Sequence, residues 1–210
     1  MATRPPLSTD LVLIRHGQTD YNLEFRFQGQ IDVPLNATGL EQARRVSQRL
    51  AGEPVHALYC SDLTRTRQTA APSAERLGLA ATPTPGLREQ NFGVLEGLVL
   101  EEVLDRHPAL WEDWNRHDPD YALPGGESVR SFHTRTVQTV LDIARRHPGE
   151  SIAVVTHGGV LDMIWRAAQR LPLTGPRECL IPNAGFNRVR IEGDSIQIVV
   201  WGDDEHVADL

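Results

Sequence analysis

Three short apolar runs, Leu11–Ile14, Val55–Tyr59 and Ile152–Val155, read as buried strands: each is too short and too rich in branched residues for a helix. Between them the apolar spacing changes to the helical period. Leu40, Ala43, Val46 and Leu50 follow a Thr38-x-x-Glu41 pattern of the capping-box kind, and Gly52 is the expected stop. Ser61-Asp62 marks the expected start of a helix running to Leu77-Gly78, with Pro72 kinking or dividing it. A longer helix is predicted from about Glu127 to Arg146, with Phe132, Val137, Val140, Leu141 and Ala144 inward and Gly149 as its end. Another should follow Gly158-Gly159 through Arg170, and Gly193-Asp194 between Phe186–Ile191 and Ser195–Trp201 signals a hairpin.

Strand and helix alternate, so the fold class is α/β. A three-layer sandwich is predicted: a mostly parallel central sheet flanked by helices. From Gly86 to Pro124 the period loosens. Leu98–Leu110 and Trp111–Trp114 suggest short helices interrupted by Pro108 and Pro119. No repeat or low-complexity linker divides the chain. The expectation is one domain over residues 1–210, with Phe92–Leu123 as a small helical insertion over the active site. Met1–Thr9 reads as a loose, proline-containing lead-in.

Composition narrows the function classes. The chain has 210 residues, 40% hydrophobic and 23% charged, which excludes disordered, collagen-like and coiled-coil classes. Its formal charge of −7 argues against nonspecific nucleic-acid or anionic-membrane partners. Charges beyond roughly 8 Å are screened at physiological salt, so a few local arginines can still govern a pocket. No apolar run approaches a membrane span, and no signal peptide is read. Two cysteines, Cys60 and Cys179, form no C-x-x-C pair, so a reducing cytoplasm is expected. Oligomeric state leaves no mark in the sequence.

The chemistry collects where strands end. Leu11–Ile14 runs into Arg15-His16-Gly17, Val55–Cys60 into Ser61-Asp62-Leu63-Thr64-Arg65, and Ile152–Val155 into Thr156-His157-Gly158-Gly159. In a parallel sheet the carboxyl ends share one edge, where ligands bind. Two histidines and two arginines would meet there, beside glycines that leave backbone N–H groups accessible. No His-x-His or His-x-x-x-His pair occurs and carboxylates are absent beside His16 and His157, so no metal site is read. Guanidinium forks suit a phosphoryl group and oppose a dication.

These residues carry a resemblance. Leu13-Ile-Arg-His-Gly-Gln-Thr-Asp-Tyr-Asn22 resembles the signature of the histidine phosphatase superfamily, the phosphoglycerate mutase-like group. The likeness continues through Arg26-Phe-Gln-Gly-Gln-Ile-Asp-Val-Pro-Leu35, Asn36-Ala-Thr-Gly39 and Ser61-Asp-Leu-Thr-Arg-Thr-Arg-Gln-Thr69. It extends to Leu87-Arg-Glu-Gln-Asn-Phe-Gly93 with Glu96-Gly97, Pro124-Gly-Gly-Glu-Ser128 and Val155-Thr-His-Gly-Gly159. The blocks are ordered and span nearly the whole chain.

The resemblance implies His16 as a nucleophile forming a phosphohistidine. Arg15, Arg65 and a protonated His157 would hold the phosphoryl oxygens, and Glu89 would be the proton donor and later the base. Asn22, Gln28 and Gly29 match substrate-contacting positions, and Gly17 and Gly158 are expected beside the phosphate. No cofactor or metal is implied.

Bland readings are taken for His56, His107, His117, His133, His147 and His206 as hydrogen-bonded residues, and for Arg67 as a salt-bridge residue. Trp111, Trp114 and Tyr121 read as insertion core, and Cys60 as a small buried residue.

Three functions remain distinct. One is a phosphomonoesterase acting on a small phosphorylated metabolite. A second is a cofactor-dependent phosphoglycerate mutase, and a third is a silent phosphate-binding module. After Glu89 the run is Gln90-Asn91-Phe92-Gly93, and between Phe92 and Leu123 the only arginines are Arg106 and Arg116, with no lysine. A mutase typically has a His/Arg-Tyr-Gly run and an arginine-rich insertion there, so the phosphatase is favoured. The mixed aromatic insertion hints at a leaving group with some nonpolar surface.

Overall fold

The computed structural model describes residues 7–210. Among these, β1 (Thr9–Arg15), β2 (Ala57–Cys60), β3 (Ala81–Pro83), β4 (Ser151–Thr156), β5 (Phe186–Glu192) and β6 (Ser195–Asp203) form one sheet in the order β3-β2-β4-β1-β5-β6. The pairs β1–β4, β2–β4 and β2–β3 are parallel, whereas β5 and β6 join antiparallel. The expected α/β sandwich is present, with a mixed sheet that is parallel in its first four strands.

Alternation along the strands sends side chains to two cores. Leu11, Leu13, Ile152 and Val154 pack beneath α6 (Val129–Arg146) and α7 (Gly158–Gln169), in one cluster with Phe132, Val140 and Leu161. Val12, Ile14, Ala153 and Val155 face the other way, against Val46 and Leu50 of α2 (Ala37–Leu50) and Ala70 of α3 (Thr64–Leu77). Both faces of the central strands are therefore apolar, which is why they read as continuous runs.

Local chemistry departs from expectation in informative places. Asn36, not Thr38, caps α2: its side chain accepts from Gly39 N, while Glu41 pairs with Arg44 and Arg45. Helix α3 starts at Thr64, and its cap comes from a distant loop. Asp32 accepts from Thr64 N at 2.6 Å and from Thr64 Oγ1 at 2.7 Å, whereas Asp62 is taken by Arg88. Pro72 lies inside α3 without dividing it; the loss is the N–H bond to the Gln68 carbonyl. Gly78 ends that helix in the left-handed region at φ 65°. The short α1 (Asp20–Leu23) and the edge strand β3, which tolerates Pro83 at its rim, carry too little periodic signal to be expected.

Met1–Pro6 of the expected lead-in lie outside the described residues. Thr9 is strand, not lead-in: its hydroxyl donates to the Ala144 and His147 carbonyls, tying β1 to the end of α6. In the irregular segment Pro108 opens α5 (Pro108–Trp114) after α4 (Leu100–Arg106), because proline suits the first turn of a helix. Leu95, Val103 and Leu123 form a small separate core there, wrapped by Phe27, Phe92, Leu110, Trp111 and Tyr121.

Candidate active site

Parallel pairing brings the ends of β1 and β4 side by side, with Arg15 opposite Thr156 and His16 N donating to Thr156 O at 2.9 Å. The His16 and His157 rings consequently lie edge to face, centroids 5.3 Å apart. Both are buried. His16 Nδ1 is 2.7 Å from the Gly17 carbonyl. A carbonyl only accepts, so Nδ1 carries the hydrogen and Nε2 presents its lone pair.

Arg65 rises from the first turn of α3 and is completely buried. Its two terminal nitrogens donate to Ile31 O at 2.8 Å and Gly29 O at 2.7 Å. Arg15 is tethered through Nη1 to Ile181 O at 2.6 Å. Each guanidinium is thus gripped from behind, yet Arg15 Nε, Arg65 Nε and both ring nitrogens of His157 are buried without a hydrogen-bond partner. A buried polar group left so costs about 1–3 kcal/mol. The two arginine Nε–H groups and the single N–H of a neutral His157 are donors that an anion with several oxygens would satisfy.

Charge and burial set the protonation states. Burial first, then the like charge of Arg177, lower Arg15 to about 10; burial lowers Arg65 to about 10 against the pull of Glu89. Both remain cations at neutral pH. Burial, then the Arg65 charge, push His16 and His157 well below the ordinary imidazole range. Set among cations, with no carboxylate partner among the described residues, His157 is held toward its neutral form in the free pocket, so the protonated ring that the resemblance implies needs an anion beside it.

Glu89 lines the same cavity, held against the start of α7. Its Oε2 accepts from Gly159 N at 2.9 Å, in the first turn of α7, and its Oε1 from Gln90 N at 2.8 Å. Arg135 holds the Glu89 backbone by donating to the carbonyls of Gly86, Arg88 and Glu89.

A cavity of about 190 Å³ is lined by Arg15, His16, Asn22, Gln28, Gly29, Arg65, Glu89 and Gly158, with Arg26, Phe27, Phe92 and Arg177 at its edge. His157 does not line this cavity, its ring lying against that of His16, although most of the residues singled out in the sequence do. Gly17 does not: its N–H donates to Thr69 Oγ1, and a Cβ on it would come 2.6 Å from Gly39 O. Its small size serves packing against α2 rather than clearance for phosphate. Glu96 also points elsewhere, accepting from Gln30 N and Phe92 N.

A second cavity of about 320 Å³ adjoins, sharing Phe27, Phe92 and Arg177 with the first. Trp114, His117, Asp118, Val129, Met163 and Leu173 are in its wall, as are Asp162 and Arg166. Two bland readings change here: Trp114 is cavity wall as well as insertion core, and His117 faces the cavity. Arg67 makes no ion pair among the described residues. Burial pushes the Cys60 thiol up to about 11, which fits an inert buried residue. Sequence reasoning missed Arg177, which lies in the Gly/Pro-rich stretch after α7 where no period marks a position. Among the described residues no cluster of His, Cys, Asp and Glu could hold a metal ion.

An imidazole with a free Nε2 lone pair at the end of a central parallel strand shares one cavity with two arginines and a carboxylate, an arrangement able to hold a phosphoryl group. The chain belongs to the histidine phosphatase superfamily, branch 1, whose family model matches residues 11–204. Over 202 residues it is 36% identical to phosphoglycerate mutase-like protein 4 of Arabidopsis thaliana, covering 94% of this chain and 86% of that one. It is 35% identical over 206 residues to the metal-independent phosphoserine phosphatase of the same plant, covering 96% and 84%. Among solved structures it is similar to Bacillus stearothermophilus YhfR, with a TM-score of 0.86 at 30% identity, covering 95% of this chain and 99% of that one.

Proposed function

We propose that the protein is a phosphomonoester hydrolase working through a phosphohistidine at His16 on a small phosphorylated metabolite. The observation that carries this reading is the pair of unpartnered buried arginine Nε groups beside a histidine whose Nε2 is held open by the Gly17 carbonyl on Nδ1. Nε2 attacks phosphorus and forms the N–P bond as the ester P–O bond breaks. Glu89 gives its proton to the departing oxygen, so an alcohol leaves. Water then attacks phosphorus, Glu89 takes its proton, and the N–P bond breaks to release phosphate and neutral His16.

The proton that Glu89 passes on arrives with the substrate, bound as the phosphomonoester monoanion, which carries one. The negative charge of that monoanion draws a proton onto His157, so that pocket cation forms only when there is an anion to meet. Arg15 and Arg65 supply fixed positive charge for the transferring group and need no divalent metal.

Asn22 and Gln28 line the phosphoryl pocket beside Gly29, whose carbonyl positions Arg65. The larger aromatic cavity takes the alcohol portion. We take residues 1–210 as one domain, with 92–123 as its cap, and place the protein in the cytoplasm, a reading supported by two free cysteines and an acidic balance. No described helix is long and apolar enough to cross a membrane.

His16→Ala should lower kcat on any phosphomonoester by about 10⁴-fold or more, with unchanged far-UV circular dichroism. Wild-type turnover in that variant would remove His16 from the reaction. A mutase is favoured instead if the phosphoenzyme resists water and returns its phosphoryl group to a second hydroxyl of a phosphoglycerate.

A further inference from the structure

We propose that Arg177 selects leaving groups that carry an anion, and that Arg166 is the positioning residue that presents it. The proposal deepens the phosphatase reading and rests on it.

Arg177 stands where the two cavities meet and lines both. It is exposed and makes no ion pair among the described residues. Nor does it stand clear of other positive charge. A Cβ built on Gly158 would lie 3.3 Å from an Nη of Arg177 and 3.5 Å from Arg15 Nε, so both guanidinium groups abut the first turn of α7. The like charge of Arg177 helps lower Arg15. Arg15 Nε is buried there without a partner. Two cations pressed against a helix N-terminus repel each other until an anion arrives.

The loop that carries Arg177 is not left to chance. Arg166 in α7 is buried and pairs with Asp162 at 3.0 Å. Its remaining donors reach the carbonyls of Pro172 at 2.7 Å, Thr174 at 3.1 Å, Gly175 at 3.2 Å and Pro176 at 2.7 Å. Four carbonyls of one loop on one guanidinium fix the backbone up to the residue before Arg177. A fork of this kind has no equal in lysine.

The phosphoryl group already has Arg65, Arg15 and two histidines. Arg177, unlike Arg15 and Arg65, also lines the cavity assigned to the alcohol portion, so its counterion is a carboxylate or similar anion borne by that portion. The planar fork matches a carboxylate with two parallel bonds.

The test uses two substrates that differ at one carbon: 3-phosphoglycerate, and glycerol 3-phosphate, in which a hydroxymethyl replaces the carboxylate. Wild-type kcat/KM should favour 3-phosphoglycerate by about tenfold or more. Arg177→Ala should collapse that ratio toward one, through KM, and Arg177→Lys should restore part of it. Arg166→Lys should lower the same ratio, because the loop loses its grip. Equal loss on both substrates in Arg177→Ala would make Arg177 a phosphoryl ligand and overturn the proposal. A wild-type ratio near one would overturn it as well. A wild-type ratio kept by folded Arg166→Lys would remove the positioning role. Should Arg166→Lys fail to melt cooperatively, Arg166→Gln, which keeps a neutral donor at the loop carbonyls, replaces it, and an undiminished ratio there removes the positioning role in the same way. If the wild type hydrolyses neither substrate nor p-nitrophenyl phosphate, the phosphatase reading fails. Calorimetric affinities of the same two compounds for wild type and Arg177→Ala then decide the Arg177 assignment.

Discussion

The phosphoryl pocket and the adjoining aromatic cavity are built on opposite principles. The first is assembled from the ends of neighbouring parallel strands, and its cationic groups, Arg65 buried and Arg15 half-buried, are gripped by backbone carbonyls. The second is roofed by a segment with its own small core of Leu95, Val103 and Leu123, and floored by a loop held to α7 by Arg166. In the pocket, geometry is inherited from the sheet, so there is little freedom to vary it. In the cavity, geometry depends on excursions from the sheet, where residues can change without disturbing the strands. On the proposed function, chemistry belongs to the rigid part and selection to the adjustable part.

The sharpest way to break this division is Glu89, which lines the same cavity as His16. Glu89→Gln should slow single-turnover phosphoryl transfer from alkyl phosphates by about 10²–10⁴-fold. It should slow p-nitrophenyl phosphate far less, because nitrophenolate leaves without a proton. Equal losses in rapid-quench measurements of that step would take the acid role away from Glu89.

Next in size is a pH effect to which the two site histidines contribute, beside His133 and His206 elsewhere in the fold. The folded protein holds His16 and His157 with lowered pKa, so below about 6.5 the unfolded chain binds protons that the folded one refuses. Stability should therefore fall as pH drops from 6.5, each such group contributing about 1.4 kcal/mol per pH unit. Denaturant melts at pH 6.5 and 5.5 should show a shallower dependence in His157→Asn than in wild type. Identical slopes would mean that His157 titrates normally in the fold. Vanadate, standing in for the transferring phosphoryl group, should restore part of the lost stability.

The cavity should respond more gently. Trp114 stacks edge to face on Phe92, which meets Phe27 in the same manner, centroids 5.8 and 5.5 Å apart. Trp114→Ala should raise KM for 2-phenylethyl phosphate by up to about tenfold relative to ethyl phosphate. A proportional fall in kcat for both substrates would instead tie this ring to the phosphoryl pocket. The smallest expected effect is none: protein treated with a chelator should keep its rate, and loss restored only by Mg²⁺ or Zn²⁺ would contradict a pocket that works by arginine.

The same contrast explains what can be read from the residues alone. Leu11–Ile14 and Ile152–Val155 announce themselves as buried strands, and the polar groups following them are fixed by one bond of chain, so His16, Arg15 and His157 are legible together. Long-range partners are not. Asp32 caps α3 from another loop, and Asn36 displaces the Thr38 cap by a choice visible only once Glu41 is drawn to Arg44 and Arg45. Arg177 lies in a stretch without periodicity, and its place is set by carbonyls that bond to Arg166 across a loop. The hold on His157 toward its neutral form likewise depends on which charges surround it in space, not on its neighbours in sequence.

Catalysis of this kind requires His16 to attack through Nε2, because Nδ1 is committed to the Gly17 carbonyl at 2.7 Å. The most direct measurement is to trap the phosphoenzyme by rapid quench into base, digest it, and identify the phosphorylated atom by mass spectrometry and ³¹P NMR against the two phosphohistidine isomers. The expected result is phosphate on Nε2 of His16, formed at least as fast as steady-state turnover. Phosphate on Nδ1, phosphate on another residue, or turnover with no phosphoenzyme at all would contradict it.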